Sequence, residues 1–182
     1  MPNHCDNVLR ISAPTPEELE QILDLLGKDE VGNQDFKFTN VIPYPKEYAV
    51  LDEEYNELGY AEWKKKYGDK PDGYNSGGYE WCSNNWGTKW SAYDVKVKAR
   101  TYLSIELSYL TAWCPATPVI SALHKKFPTA SFESEYFERG AAFCGGAVWV
   151  AKDAEDNEEE ETREAGAPER EWHGEYHGTR GG

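Results

Sequence analysis

The chain is short of positive charge. Nineteen Lys and Arg stand against thirty-three Asp and Glu, a formal net charge of −14 over 182 residues. Phosphate-binding surfaces gain affinity from Lys and Arg, so this deficit argues against direct contact with nucleic acid. No run of eighteen apolar residues occurs, which argues against a membrane-spanning helix. The start, Met1-Pro2-Asn3-His4-Cys5-Asp6, carries neither the basic nor the apolar region of a secretory signal, and a cytoplasmic protein is expected. Cys5, Cys82, Cys114 and Cys144 are far apart and form no Cys-x-x-Cys pair, so reduced, packed thiols are expected rather than disulfides or a zinc site. Also missing are a glycine-rich phosphate loop, a nucleophile elbow and a His-x-x-x-His pair. The motifs therefore call for no cofactor and no metal, and the chain reads as leaning away from an enzyme.

Acid is plentiful, and it is unevenly placed. Residues 152–182 hold eleven acidic against four basic side chains, half the total excess in about a sixth of the length. The run Glu158-Glu159-Glu160-Glu161 lies there, among glycines and a proline that oppose a helix, so 152–182 is expected to be a flexible acidic tail. Trp172 and Tyr176 within it could dock on the body or on a partner. Opposite potentials steer association, so a basic protein surface is the partner class that the charge favours.

Residues 1–151 show alternating elements. Asn7–Ser12 reads as a strand. Thr15, Pro16 and Glu18 then mark a helix start, with Leu19, Ile22, Leu23 and Leu26 as its apolar stripe and Gly27 as its end. Phe36–Ile42 alternates like a second strand, and Asp52–Tyr67 reads as a helix closed by Lys64-Lys65-Lys66. Asp94–Ala99 and Tyr102–Tyr109 read as strands, the second with Leu103, Ile105, Leu107 and Tyr109 on one face. Pro118 opens a helix carrying Val119, Ile120, Leu123 and Phe127, and a hairpin of Ser131–Glu138 and Ala142–Val150 turns at Arg139-Gly140. Gly145-Gly146 signals a bulge or a close backbone approach. One buried and one solvated strand face implies an α+β fold, a ferredoxin-like antiparallel sheet with helices on one face, carrying an insertion over residues 43–93.

That insertion ends in the densest aromatic stretch of the chain. Between Tyr79 and Asp94, Trp81, Trp86 and Trp90 alternate with Cys82, Asn84, Asn85 and Lys89. Together with Trp113, these indoles read first as an architectural plug at the junction of sheet and helices. The contact reading of the same region takes Trp86, Lys89, Trp90 and Asp94, joined by Glu158, Glu159, Glu160, Glu161 and Trp172, as partner-binding residues. A catalytic reading would need Cys82 as an activated thiol or His124 as a base.

The opening Met1–Asn7, the stretch Tyr79–Ala92, the segment Thr111-Ala112-Trp113-Cys114-Pro115-Ala116-Thr117-Pro118-Val119-Ile120 and the later Phe143-Cys144-Gly145-Gly146 follow one another in an order that resembles the Api92-like family, also called the YubB ferredoxin-like family, of phage and plasmid proteins. The resemblance covers roughly residues 1–151. His4, Ser91 and Cys114 stand where the family pattern has Trp, Asp and Ser. It implies a ferredoxin-like fold and a mobile-element origin in a bacterial host cell. By analogy it implies an accessory protein that binds and inhibits a host protein, such as a nucleic-acid-directed defence complex of the CRISPR kind. The alternative is a small enzyme or nucleotide-binding domain working from a Trp81–Asp94 cleft.

Overall fold

The computed structural model describes residues 3–152 and 167–175. Six strands form one antiparallel sheet in the order β2-β3-β1-β4-β5-β6. The central strand β1 (His4–Ser12) pairs with β3 (Ser104–Ala112) on one side and β4 (Ser131–Glu138) on the other. β2 (Tyr93–Arg100) lies outside β3, and β5 (Phe143–Trp149) outside β4. Alternation sends Leu9, Ile11, Ile105, Leu107, Phe132, Ala147 and Trp149 to one face, where α1 (Pro16–Leu26) and α5 (Thr117–Lys126) supply Leu19, Ile22, Leu23, Leu26, Val119, Ile120 and Leu123. The other face stays open to solvent. At its centre Arg10 meets Glu106 at 2.8 Å, Glu135 at 3.2 Å and Glu133 at 3.4 Å.

The start of α1 forms as its residues suggest, with one change of partner. The Glu18 N–H donates to Thr15 Oγ1 at 3.2 Å, but the Glu18 carboxylate accepts from the Thr129 hydroxyl at 2.6 Å and so ties the helix to the loop before β4. At the far end Gly27 takes φ 94° and its N–H donates to Leu23 O.

Before the aromatic stretch, two elements differ from the sequence expectation. Phe36–Ile42 is not a strand. The Lys37 N–H donates to Leu26 O and the Asp35 N–H to Gly27 O, so the end of α1 takes up this backbone, and Phe38–Val41 closes into the single turn α2. Phe36 and Phe38 alternate only because both rings enter the core, meeting edge to face at 4.8 Å. The next helix, α3 (Lys46–Tyr67), begins six residues before the expected Asp52, directly after Pro45. It bends at Gly59, whose φ of 71° only glycine adopts without strain. The bend keeps Leu58, Ala61 and Trp63 from forming a single apolar stripe. Trp63 alone is buried, its indole donating to Lys70 O at 2.7 Å. A π-type turn, Tyr74–Gly78, then leads into α4 (Tyr79–Asn85).

The largest correction concerns the acidic tail. Arg170–Glu175 forms β6, paired with β5 from Phe143↔Glu175 to Val148↔Arg170. Gly145 and Gly146 explain why. A Cβ on Gly146 would lie 2.2 Å from the Trp172 ring and 2.5 Å from Ser134 O, so the glycine pair is a close approach that seats Trp172. It is not a bulge, since the β4–β5 register runs unbroken. On the opposite face Tyr136 OH and His173 Nδ1 lie 2.6 Å apart. Glu158–Glu161 and Tyr176 lie outside the described residues. No helix among the described residues is long and apolar enough to cross a membrane.

Candidate functional site

The aromatic stretch divides into a buried half and an exposed half. In the buried half, α4 turns Cys82 and Trp86 inward, and Trp86 is 3% exposed. Its ring packs on Trp81 at 5.4 Å, Tyr44 at 5.8 Å and Phe38 at 5.9 Å, and its indole donates to Ile42 O at 3.0 Å. Ser91 continues the same seam, accepting from the Phe38 N–H at 3.0 Å. The plug reading thus holds for Trp86, and Trp86 cannot meet a partner. Within the stretch Trp81 and Trp86 pack on each other, and Tyr44 closes over both. Burial pushes the Cys82 thiol up to about 12, which keeps it protonated at neutral pH and removes it as a nucleophile. His124 is buried, its Nε2 lying 3.0 Å from Val150 O.

The exposed half is built on a strained turn. After β3 the chain passes through Trp113 at φ 71°, a conformation that costs a bulky side chain about 1–2 kcal/mol. Five hydrogen bonds hold it there. The Trp113 N–H donates to Asn3 O and the Cys114 N–H to Ala112 O. The Thr111 hydroxyl donates to Cys114 O at 2.7 Å, and Thr88 Oγ1 both donates to Ala112 O and accepts from the Ala112 N–H. The result presents the Trp113 indole 49% exposed. Lys89 Nζ sits 3.7 Å from its ring centroid and 5.5 Å from that of Tyr79, itself 41% exposed. Tyr79, Lys89 and Trp113 therefore form one amphipathic ledge.

Of the residues singled out in the sequence, Lys89 is in this ledge and Trp90 is 37% exposed. Asp94 lies at the start of edge strand β2, at φ 52° and paired with Lys96 at 2.9 Å. Trp172 lies on β6, the opposite edge of the sheet, so the candidates do not converge on one site. Trp113 and Tyr79 are the exposed aromatics of the ledge that sequence reasoning assigned to the interior or left aside. The signal that marks Trp113 is its backbone angle, which no sequence pattern carries.

A second feature is a depression of about 600 Å³ beside the start of β1, lined by Asn3, His4, Asp6, Leu110, Arg139 and Glu138. His4 Nδ1 and Tyr93 OH lie 2.6 Å apart on its rim. The Glu138 carboxylate is already used, accepting from the N–H groups of Gly140 and Ala141 in the β4–β5 turn. No group of three or more metal-ligating side chains occurs among the described residues.

Replacing Trp113 with glycine is expected to leave stability within about 1 kcal/mol of the parent, because relief of the left-handed strain offsets the lost stacking of Lys89. Urea denaturation measures it. A loss above about 2 kcal/mol would mean that the indole is a packing residue and not a presented one.

A family model described as a ferredoxin-like domain in Api92-like protein matches residues 85–175, a span that ends with β6. Among solved structures the chain is similar to a protein api92 from Yersinia pseudotuberculosis. That likeness has 9% sequence identity and a TM-score of 0.50, and covers 99% of this chain and 100% of that one. At this identity it shows the fold. No curated protein matches the sequence.

Proposed function

The chain belongs to the Api92-like family of ferredoxin-like proteins, and from that premise we propose that it is a mobile-element accessory protein that binds and inhibits a host protein through its acidic outer surface. The observation that carries this reading is where the acid lies. Glu17, Glu20 and Asp24 are exposed along α1, and Glu47, Glu53, Glu57 and Glu62 along α3, within a chain of net charge −14. A surface of that sign raises the encounter rate with a basic partner and repels nucleic acid, which makes a nucleic-acid-handling host protein the favoured target. The Tyr79–Lys89–Trp113 ledge adds the kind of exposed aromatic anchor that supplies most of the energy in small interfaces.

The test is affinity capture from a bacterial lysate at low salt, identification of the partner, and its purification. Binding is then measured against the parent and against a chain with Glu17→Lys, Glu20→Lys and Asp24→Lys. The expected result is a loss of at least about tenfold both on charge reversal and on raising salt, because exposed pairs are screened beyond a Debye length of about 8–10 Å. A purified partner that binds both chains equally at every salt concentration would sink the electrostatic reading. A partner whose own activity is untouched in the complex would sink inhibition.

A further inference from the structure

We infer that the outer edge of β6 is a self-pairing surface whose occupant is the β6 strand of a second copy of this chain. The two edges of the sheet are built differently. β2 is irregular, with register shifts between Tyr93 and Lys96 and between Val97 and Ala99, and it carries Lys96 and Lys98 and the left-handed Asp94. These are the devices that stop an edge from pairing further. β6 has none of them. Its register against β5 is unbroken over six pairs, it holds no proline or lysine, and no other described strand lies beyond it. Arg170, Glu171, Trp172, His173 and Gly174 are all exposed.

The strand's order of residues then selects one register. A two-fold axis normal to the sheet keeps each face on its own side, so only positions that share a face can oppose one another. An axis through Glu171 sets two carboxylates against each other, and one through His173 sets two imidazoles together. An axis through Trp172 sets indole against indole on the open face, and Glu171 against the second copy's His173, twice, on the helix face. Aromatic pairs and a carboxylate facing an imidazole ring nitrogen within hydrogen-bonding reach are the favourable cross-strand contacts, and like charges are not. Within one chain, Glu171 Oε1 already lies 3.4 Å from His173 Nε2, so the dimer joins two such pairs into a four-membered network. Trp172 is held for this role from below, against Gly146 and with the Arg170 guanidinium 5.5 Å from its ring. A six-residue edge is smaller than a standard interface, so the dimer is expected to form only at high protein concentration.

The test uses the full chain. Light scattering over a wide concentration series should show the mass rising from 20.7 kDa toward twice that value. The register is read by cysteine crosslinking in a background of Cys114→Ser and Cys144→Ser. Directly opposed residues have Cα atoms about 4.5–5.5 Å apart, within reach of a disulfide, whereas each of these positions lies about 8 Å from its own copy, beyond that reach. Glu171→Cys chains alone and His173→Cys chains alone should therefore stay uncrosslinked, and an oxidised mixture of the two should give a covalent dimer. A mass that stays at the monomer value throughout overturns the proposal. So does a dimer that yields no mixed crosslink, or self-crosslinking of either variant as strong as that of the mixture.

Discussion

Trp86→Ala is expected to cost about 3–5 kcal/mol, the largest effect of any single substitution in the aromatic stretch. The indole is almost fully buried between Trp81, Tyr44 and Phe38, and it is the donor to Ile42 O. Truncation opens a cavity among rings from α2, α4 and the connection between α2 and α3, and leaves that carbonyl without its partner, so transfer, cavity and hydrogen-bond losses add. Against the 5–15 kcal/mol typical of a domain, this leaves little margin. Urea denaturation should show a large fall in midpoint at 25 °C. Trp86→Phe separates the contributions, since it keeps most of the apolar volume and should lose only about 1–2 kcal/mol. If the alanine variant loses less than about 1 kcal/mol, the insertion and the sheet are not coupled through this ring. The contrast with Trp113→Gly is the point, because one indole should prove costly to remove and the other nearly neutral.

The second large effect is alkaline unfolding. Burial pushes the thiols of Cys5 and Cys82 from their ordinary value near 9.0 up to about 12, and the Tyr136 hydroxyl from 10.0 up to about 12. Tyr109, fully inside the core, is raised further. The folded chain therefore keeps these protons at a pH where the unfolded chain has released them. Because the unfolded state binds fewer protons, stability falls as pH rises. Their contribution is present in full below pH 9 and is lost through the window from 9 to 12. Each group held protonated removes about 1.4 kcal/mol per pH unit, so two thiols and two phenols acting together are enough to exceed the stability of a typical domain. Circular dichroism between pH 8 and 12 should show cooperative unfolding before pH 12. A Cys82→Ala chain should unfold with a shallower pH dependence. Retention of the folded signal through pH 12 would contradict the burial of these groups.

The sheet and its two covering helices were legible because their signal is the periodic burial of side chains. Leu9 and Ile11, Ile105, Leu107 and Tyr109, and Leu19, Ile22, Leu23 and Leu26 all carry the period of their element and all end up in the core. Where the pattern misled, a local competitor was at work. Phe36 and Phe38 alternate like a strand, yet the hydrogen bonds of that backbone go to the end of α1. β6 could not be found at all, because Arg-Glu-Trp-His-Gly-Glu has no apolar period. What makes it a strand is the bare backbone at Gly145 and Gly146, more than twenty residues earlier. The burial of the aromatic stretch was hidden for a related reason. Trp86 and Trp113 look alike in the sequence, and a left-handed backbone angle decides which of them faces solvent.

The position of β1 has a consequence for how the molecule comes together. Both of its partners lie far along the chain, with Leu9 against Leu107 on one side and Ser134 on the other. It is also the sole strand that joins β2–β3 to β4–β5–β6. The molecule is thus two partial sheets riveted by its first nine-residue strand, and the rivet cannot close until both halves have been made. Such long-range closure is slow, because the loop entropy is spent before the contacts repay it. It is also tolerant, since lengthening the loop between α1 and β2 adds to that cost only logarithmically. A chain assembled in this way can carry a bulky aromatic insertion in its first connection without changing the order of its strands.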